Sequence, residues 1–139
     1  VDNFKTVNDS TEYAFGDQVL RRVADALKGN IRETDFAARF GGDEFCILLP
    51  QTTPAEAVQT ALRIRKRVSG MSVSDASYHM QVTVSIGVDS FDGRQASSVD
   101  QLRRNANRAL QEAKRRGKNQ VWLFSGSEQG HEHGAEAAE

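Results

Sequence analysis

The stretch "DFAARFGGDEFCILLP", residues 35 to 50, contains the pattern of a β-hairpin, around which the other elements of this chain are predicted. Two strand-like runs, DFAARF and EFCILLP, flank the pair Gly41-Gly42. Such runs around a glycine pair predict a β-hairpin, and a two-residue Gly-Gly loop suits the positive φ angles of tight hairpin turns. Asp43 and Glu44 follow the glycines directly, so the sequence predicts two carboxylates at the tip of this hairpin.

Apolar residues at helical spacing predict three helices around the hairpin. The first covers residues 15–31, and Asp17 near its first turn suits the helix dipole. The second begins near Pro54. The third is predicted within residues 97–119, where Gly117 is placed to end the helix. The three apolar stripes consist of Phe15, Val19, Val23, Leu27 and Ile31 with Leu20 and Ala24 beside them; Ala57, Val58, Ala61, Ile64 and Val68; and Val99, Leu102, Ala106, Ala109 and Ala113.

Two further strands complete the predicted order of elements, which is helix, hairpin, helix, strand, helix, strand. Residues 80–88 alternate strictly between apolar and other residues, so Met80, Val82, Val84, Ile86 and Val88 are predicted to share one face. Residues 121–124 form a short final strand. This order predicts an α/β (α+β) domain over residues 1–124, with a mixed sheet flanked by helices. Residues 125–139 are poor in core-forming side chains and are predicted to be a disordered tail.

Composition excludes several classes of protein. The net charge is −1, from 18 basic and 19 acidic residues, so no overall field favours a nucleic-acid partner. The lone Cys46 lies in an apolar run, where a thiol is expected to behave as a small hydrophobe. No stretch has the length and hydropathy of a membrane span. If the parent protein is membrane-anchored, we expect the anchor to lie outside this chain.

Two interpretations of the hairpin tip remain open from these residues alone. It is a solvated turn, or it is a site where carboxylates hold Mg²⁺ against a phosphate. The glycines are compatible with the second interpretation because a backbone without Cβ atoms lets a ligand approach closely, but these four residues taken alone favour the solvated turn. Neighbouring side chains on a strand point to opposite faces. We therefore expect Asp43 and Glu44 to have different roles, with one principal metal ligand.

Six sequence blocks in a fixed order give a more specific indication. They are VDNFKTVND, GDQVL, RETD, RFGGDEF, VTVSIGV and ALQEAKRRGKN, and they lie between residues 1 and 119. Together they resemble the GGDEF family of diguanylate cyclases, since several ordered motifs in one fold context are far more specific than one. The resemblance implies a ferredoxin-like, nucleotidyl-cyclase-type fold, with a central mixed β-sheet and the signature on its hairpin.

The activity that the resemblance implies is condensation of two GTP molecules into cyclic di-GMP, with release of pyrophosphate. The family works as a homodimer in which each domain holds one GTP, and Mg²⁺ is the cofactor, with Mn²⁺ as an alternative. The resemblance also implies a bacterial cytoplasmic domain, placed after a sensory or receiver domain in a longer protein.

The resemblance assigns roles to individual residues. Asp43 becomes the catalytic, metal-binding carboxylate, Glu44 its neighbouring catalytic acid, and Lys5 the cation that stabilises charge during transfer. The residues implied for GTP binding are Asn8 and Asp17 for the guanine edge, Leu20 for packing on the purine, Asn3 and Phe4 for the phosphates, and Gly41, Gly42, Lys114 and Lys118. Without the resemblance, Asn8 reads as a turn residue, Asp17 as a helix-start charge, and both C-terminal lysines as complements of a helix dipole.

A second set of residues matches the family's inhibitory site. Arg32 and Asp35 form an RxxD motif before the signature, and Arg63 lies where the family has a secondary arginine. The resemblance implies that they bind cyclic di-GMP as an inhibitor, a task for which the guanidinium fork is suited. The alternative is an ordinary surface ion pair between residues three apart, which contributes little to stability.

The chain departs from the family pattern at two places. Asp2 matches the second aspartate of the family's Asp-x-Asp pair. The first aspartate of that pair, which is a metal ligand in the family, and the strand that precedes it would lie upstream of Val1. We therefore expect a first strand to be missing from this chain. Glu12 and Tyr13 replace the family's usual Gly-His. These departures leave an alternative function open, namely a catalytically impaired module that acts as a receptor for GTP or cyclic di-GMP.

Overall fold

The computed structural model describes residues 1–91 and 98–125. Its helices are α1 (Phe4–Ser10), α2 (Tyr13–Lys28), α3 (Pro54–Ser69) and α4 (Val99–Arg115). Its strands are β1 (Phe36–Arg39), β2 (Phe45–Leu48), β3 (Ser72–Ser74), β4 (His79–Gln81), β5 (Ile86–Val88) and β6 (Val121–Leu123). Helices thus alternate with parallel and antiparallel strand pairs, which confirms the predicted α+β class.

Helix α2 supplies much of the largest hydrophobic core. Its buried stripe packs with α3 and with the segments around residues 73 and 82–84. The helix begins at Tyr13 and ends at Lys28, so the prediction that it reaches Ile31 was wrong. Asp17 therefore lies in the second turn of α2 and not in the first, which removes its interpretation as a helix-start charge.

Helix α3 begins where Pro54 predicts it. The Thr53 hydroxyl accepts a hydrogen bond from the Glu56 main-chain nitrogen at 3.2 Å, and Glu56 Oε2 accepts one from the Thr53 nitrogen at 3.0 Å. This capping box satisfies donors that the first turn leaves without partners. It fixes where the chain leaves the hairpin and enters the helix.

The hairpin is present, but its loop differs from the prediction. Phe36 pairs with Leu48 and Arg39 pairs with Phe45, so the loop comprises residues 40–44 and not the two glycines alone. Neither Gly41 nor Gly42 has a positive φ. The expected tight glycine turn is therefore wrong, because the loop is closed by a 2.7 Å hydrogen bond from the Phe40 nitrogen to the Glu44 oxygen.

Strand β2 presents one face to the core and the other outward. Phe45 and Ile47 are half-buried against the main core, whereas Cys46 and Leu48 are exposed. Cys46 thus does not behave as the small buried hydrophobe that its apolar surroundings suggested. Strand alternation explains the error, because neighbours in a strand point to opposite faces.

The predicted strand over residues 80–88 is interrupted. Strand β4 ends at Gln81 and β5 begins at Ile86. In between, Val82 and Val84 are buried as the alternation predicted, while Asp2 donates from its main-chain nitrogen to the Thr83 oxygen at 2.9 Å. Among the described residues, the strands therefore form three separate pairs and not one continuous sheet. Pairs β1–β2 and β3–β4 are antiparallel, and pair β5–β6 is parallel.

Helix α4 covers the β5–β6 pair. Ala109 and Ala113 are buried with Trp122 of β6, as their spacing predicted. Val99 is 78% exposed, so its assignment to the apolar stripe was wrong. It is the first helical residue after the cap Ser98 and extends beyond the surface that α4 buries.

Helix α1 and the β3–β4 hairpin were not predicted, because seven-residue and three-residue elements are too short to show a period. The disorder predicted for residues 125–139 falls almost wholly outside the described residues. Within residues 1–91 and 98–125, every helix is too short or too polar to cross a membrane.

Gly87 is expected to be required for the packing of β5 on α4. A Cβ atom added there would come closer than 3.0 Å to the Ala106 oxygen and to the Leu110 nitrogen, both of them main-chain atoms. We expect Gly87→Ala to lower the free energy of unfolding by about 1–3 kcal/mol. Gly70→Ala, at the exposed end of α3, is the control in thermal unfolding. Equal melting temperatures for the two variants would contradict this account.

Candidate active site

A surface cavity of about 260 Å³ lies between the start of α1, the hairpin loop and the end of α4. It brings together most of the residues that sequence reasoning assigned to the phosphates and the metal. Its lining residues are Val1, Asp2, Asn3, Phe4, Lys5, Thr6, Asp43, Lys114 and Lys118. Three separate parts of the sequence thus converge on one cavity, which we call the cradle.

Asp2 anchors the cradle from within the protein. Its residue is only 5% exposed, and its carboxylate accepts hydrogen bonds from Thr83 Oγ1 at 2.8 Å, Ser85 Oγ at 2.6 Å and the Asn119 main-chain nitrogen at 3.0 Å. A buried carboxylate is tolerated only when its oxygens are hydrogen-bonded. The side chain of Asp2 therefore connects the start of the chain with the segment at residues 83–85 and with Asn119.

The turn after α4 directs Lys118 into the cradle. Gly117, Lys118 and Asn119 have φ angles of 115°, 65° and 50°, and the Lys118 nitrogen donates to the Ala113 oxygen at 3.0 Å. Lys118 Nζ then donates to Asn3 Oδ1 at 2.5 Å. The sequence-based expectation that Lys118 lies on the end of the helix was wrong, since α4 ends at Arg115 and left-handed backbone brings the lysine round.

The charges that line the cradle are mostly unpaired. Asp43 is half-buried, and its main-chain oxygen accepts a 2.9 Å hydrogen bond from the Val1 nitrogen. Lys5 and Lys114 form no ion pair with any carboxylate among residues 1–91 and 98–125. Three lysines beside two carboxylates, those of Asp2 and Asp43, leave the cradle with an excess of positive charge, which attracts a polyanion.

Glu44 and the two signature glycines lie outside the cradle lining. Glu44 is exposed, and its main-chain oxygen closes the hairpin loop. The Gly41 and Gly42 oxygens accept hydrogen bonds from Arg39 at 3.1 and 2.8 Å. The neighbours Asp43 and Glu44 therefore occupy different environments.

A second cavity, an open groove of about 410 Å³, runs between α2 and the hairpin. Asp17 and the buried Leu20 line one side, and Ala38 and Phe45 of the hairpin line the other. Asn8 stands nearby on α1, half-buried, with its side chain against Gly16. Its amide makes no hydrogen bond within the part of the chain that the structure describes.

The RxxD residues form a preorganised turn between α2 and β1. Arg32 donates from Nη2 to Asp35 Oδ1 at 3.1 Å, to the Pro50 oxygen at 3.0 Å and to Thr52 Oγ1 at 2.7 Å. The Asp35 side chain is 2% exposed, and the hydrogen bonds from Arg32 lower the pKa of its carboxyl. Arg63 reaches the same connection, with Nη2 at 3.5 Å from the Asn30 oxygen.

Sequence reasoning missed the residues that hold the site in shape. Thr83 and Ser85 alternate with buried valines, so their hydroxyls lie on the other face of that segment. This alternation could have indicated a polar partner for Asp2. Nothing in the sequence indicated that Asn119 would donate its main-chain nitrogen to the same carboxylate.

Comparison with known proteins gives an independent assignment. The family model described as "Diguanylate cyclase, GGDEF domain" matches residues 1–120. The chain is 39% identical over 128 residues to diguanylate cyclase DosC of Escherichia coli K12, and 42% identical over 125 residues to diguanylate cyclase A of Treponema denticola. These matches cover 91% and 88% of this chain but only 27% and 33% of those proteins. The chain thus spans about a quarter to a third of the length of these relatives.

Solved structures agree with this assignment. Diguanylate cyclase SiaD from Pseudomonas aeruginosa, in complex with its activator SiaC, superposes with a TM-score of 0.82 at 36% identity, covering 88% of this chain and 46% of that one. The GGDEF domain of DgcB from Caulobacter crescentus, in complex with c-di-GMP, gives a TM-score of 0.81 at 32% identity, covering 88% and 72%. This chain belongs to the GGDEF family of diguanylate cyclase domains.

Proposed function

We propose that this domain condenses two GTP molecules into cyclic di-GMP, with one GTP bound per domain and two domains opposed in a homodimer. The observation that carries the proposal is the convergence of Asn3, Lys5, Asp43 and Lys118 on one cradle, while the same hairpin also borders a groove that contains Leu20. A cationic cradle, together with a groove whose lining has both apolar and charged residues, suits a triphosphate joined to a purine nucleoside.

The cradle supplies the groups that a triphosphate requires. Lys5, Lys114 and Lys118 offset its negative charge, and the backbone of Asn3 and Phe4 runs along the same surface. When the 3′-hydroxyl of one GTP attacks the α-phosphate of the other, negative charge develops on the transferring group. Fixed cations at that position stabilise the transition state. Lys5 suits this task because it is exposed and carries no ion pair with a described carboxylate.

Guanine recognition rests on Asn8 and Asp17, with Leu20 packing on the purine. The Asn8 amide is free to donate and accept at the base edge, and the exposed Asp17 carboxylate accepts from the base N–H groups. Because α2 carries both Asp17 and Leu20, one helix sets the distance between the polar and the apolar contacts.

The residues present fit a divalent cation that is shared with the substrate. Asp43 is a half-buried carboxylate on the cradle wall. No group of three or more His, Cys, Asp or Glu side chains suited to a metal occurs in residues 1–91 and 98–125. Mg²⁺ is commonly held by one or two carboxylates together with substrate phosphates, so Asp43 would hold Mg²⁺, or Mn²⁺, with the triphosphate. The cation would neutralise charge there, and Glu44 is the second acid of the signature.

Product inhibition is the proposed role of Arg32, Asp35 and Arg63. Arg32 uses Nε and Nη2 within the protein, whereas its Nη1 makes no hydrogen bond within the described residues. The side chain is 57% exposed, so this free edge of the guanidinium can meet a phosphate or guanine of cyclic di-GMP. Arg63 lies close enough to the same turn to add a second cation.

The proposed setting is a larger bacterial signalling protein in the cytoplasm. This domain would be its output module, and an upstream sensory or receiver domain would control it. The response regulator PleD of Caulobacter vibrioides supports this arrangement, because a 37% identical match covers 87% of this chain and 27% of that protein.

Replacement of Asp43 tests the activity. In the full-length protein with GTP and Mg²⁺, we expect Asp43→Asn to lower cyclic di-GMP formation by about a hundredfold or more. Asp25→Asn, on the exposed face of α2, is the matched control. Product is measured by chromatography. Wild-type protein that binds GTP but forms no product would show a receptor, and an active Asp43→Asn variant would contradict the assigned role.

Replacement of Arg32 tests the inhibitory site. We expect Arg32→Ala to raise the cyclic di-GMP concentration for half-inhibition about 10- to 100-fold, because charge-assisted hydrogen bonds are lost. Initial rates measured before product accumulates should be unchanged. Arg67→Ala removes an exposed arginine of α3 that lies apart from this turn and serves as the control. Unaltered inhibition in Arg32→Ala would refute the assignment.

The stability of the RxxD turn should depend on pH in a defined direction. The hydrogen bonds from Arg32 lower the pKa of Asp35 in the folded protein. The stabilisation is therefore fully present above the unfolded-state pKa of about 4 and is lost as pH falls through the folded-state value. Melting temperatures of wild type and Asp35→Asn should differ at pH 5–7 and converge on acidification below about pH 4. A difference that persists in acid would contradict this cause.

A further inference from the structure

Gly16 occupies a position where its backbone does not require glycine. It lies inside α2, is buried, and has no positive φ. Glycine in a helix interior is less favourable than alanine, because it loses more conformational freedom on folding. A reason other than backbone geometry must therefore account for glycine here.

The reason is the space taken by the Asn8 side chain. A Cβ atom built on Gly16 would come closer than 3.0 Å to Asn8 Oδ1, which is nearer than real Cβ atoms approach. The other nearest atoms, Asn8 Cγ at 3.4 Å and Phe4 Cζ at 3.5 Å, lie at ordinary contact distances. The volume that a side chain would fill is thus occupied by the oxygen of one amide.

Packing is also what defines the orientation of that amide. Asn8 lies on the seven-residue α1, and its side chain makes no hydrogen bond within residues 1–91 and 98–125. Phe4 and Val7 fix α1 against α2 through the main core. With α1 fixed and no hydrogen bond to orient the amide, contact with Gly16, which directly precedes Asp17 in α2, is what holds the Asn8 side chain in place.

We propose that Gly16 is a specificity-determining positioning residue, whose missing side chain seats the Asn8 amide where it reads the guanine edge. The role in base selection rests on the proposed function, whereas the steric relation between Gly16 and Asn8 does not. Gly16 itself touches no substrate and acts through Asn8.

The first test is Gly16→Ala in the full-length protein. The added methyl displaces the end of a flexible side chain and no main-chain atom, so we expect the domain to stay folded while the amide leaves its place. The KM for GTP should rise about tenfold, the loss expected for one or two hydrogen bonds. The kcat should change less than about threefold, and the preference for GTP over ATP should fall with the rise in KM. An unchanged KM and base preference would overturn the proposal.

A double-mutant cycle separates positioning from a general structural effect. Asn8→Ala removes the amide and also the atom that a methyl at position 16 would meet. If Gly16 acts only through Asn8, the double variant Asn8→Ala, Gly16→Ala should have the same KM as Asn8→Ala alone. Fold-increases in KM that multiply in the double variant, which are additive as free energies, would instead mean that Gly16 acts independently. Gly29→Ala, at the end of the same helix, is the control and should leave KM unchanged.

A readout without substrate distinguishes failure of this inference from failure of the proposed function. The side-chain amide resonances of Asn8 in ligand-free protein should shift in Gly16→Ala, while resonances of the remote Trp122 indole stay in place. Unshifted Asn8 resonances overturn the packing relation whatever the enzyme does. If they shift but wild-type protein has no preference for GTP, the proposed function fails, and the specificity role of Gly16 fails with it.

Discussion

The buried carboxylate of Asp2 is the constraint on which the rest of the site depends. Within residues 1–91 and 98–125 it forms no ion pair. It is satisfied instead by the hydroxyls of Thr83 and Ser85 and by the main-chain nitrogen of Asn119. Leaving a buried acceptor without its donor costs about 1–3 kcal/mol. The start of α1 and the turn after α4 are thereby held at fixed positions, and the loop of the hairpin is joined to them through the hydrogen bond from Val1 to Asp43.

The main elements of the fold were predictable because their signals are local. Helices α2, α3 and α4 carry long apolar periods, and the strand pairing of the hairpin follows from its two apolar runs. The loop of the hairpin was not predictable in detail. Glycine pairs favour a two-residue turn, but here Arg39 binds the carbonyls of both glycines and the loop extends from residue 40 to 44.

The membership of the site was more predictable than its geometry. Ordered motifs named Asp43, Lys5 and Lys118, which line the cradle together. The route by which Lys118 arrives could not be read from sequence, because it requires left-handed backbone at a lysine, which side chains with a Cβ seldom adopt. Likewise, RxxD spacing indicated an ion pair but not that Arg32 also bonds to Pro50 and Thr52 from the far side of the hairpin.

The sequence separation of the cradle contacts has a consequence for how the domain matures. Asp2 meets Asn119 across 117 positions and Thr83 across 81, and Asn3 meets Lys118 across 115. Contacts between such distant residues form late, since the loop they close must be ordered first. During synthesis the cradle therefore cannot assemble until the turn at residues 117–119 has left the ribosome. Nascent chains that lack this turn remain without a complete substrate site, however well their helices have formed.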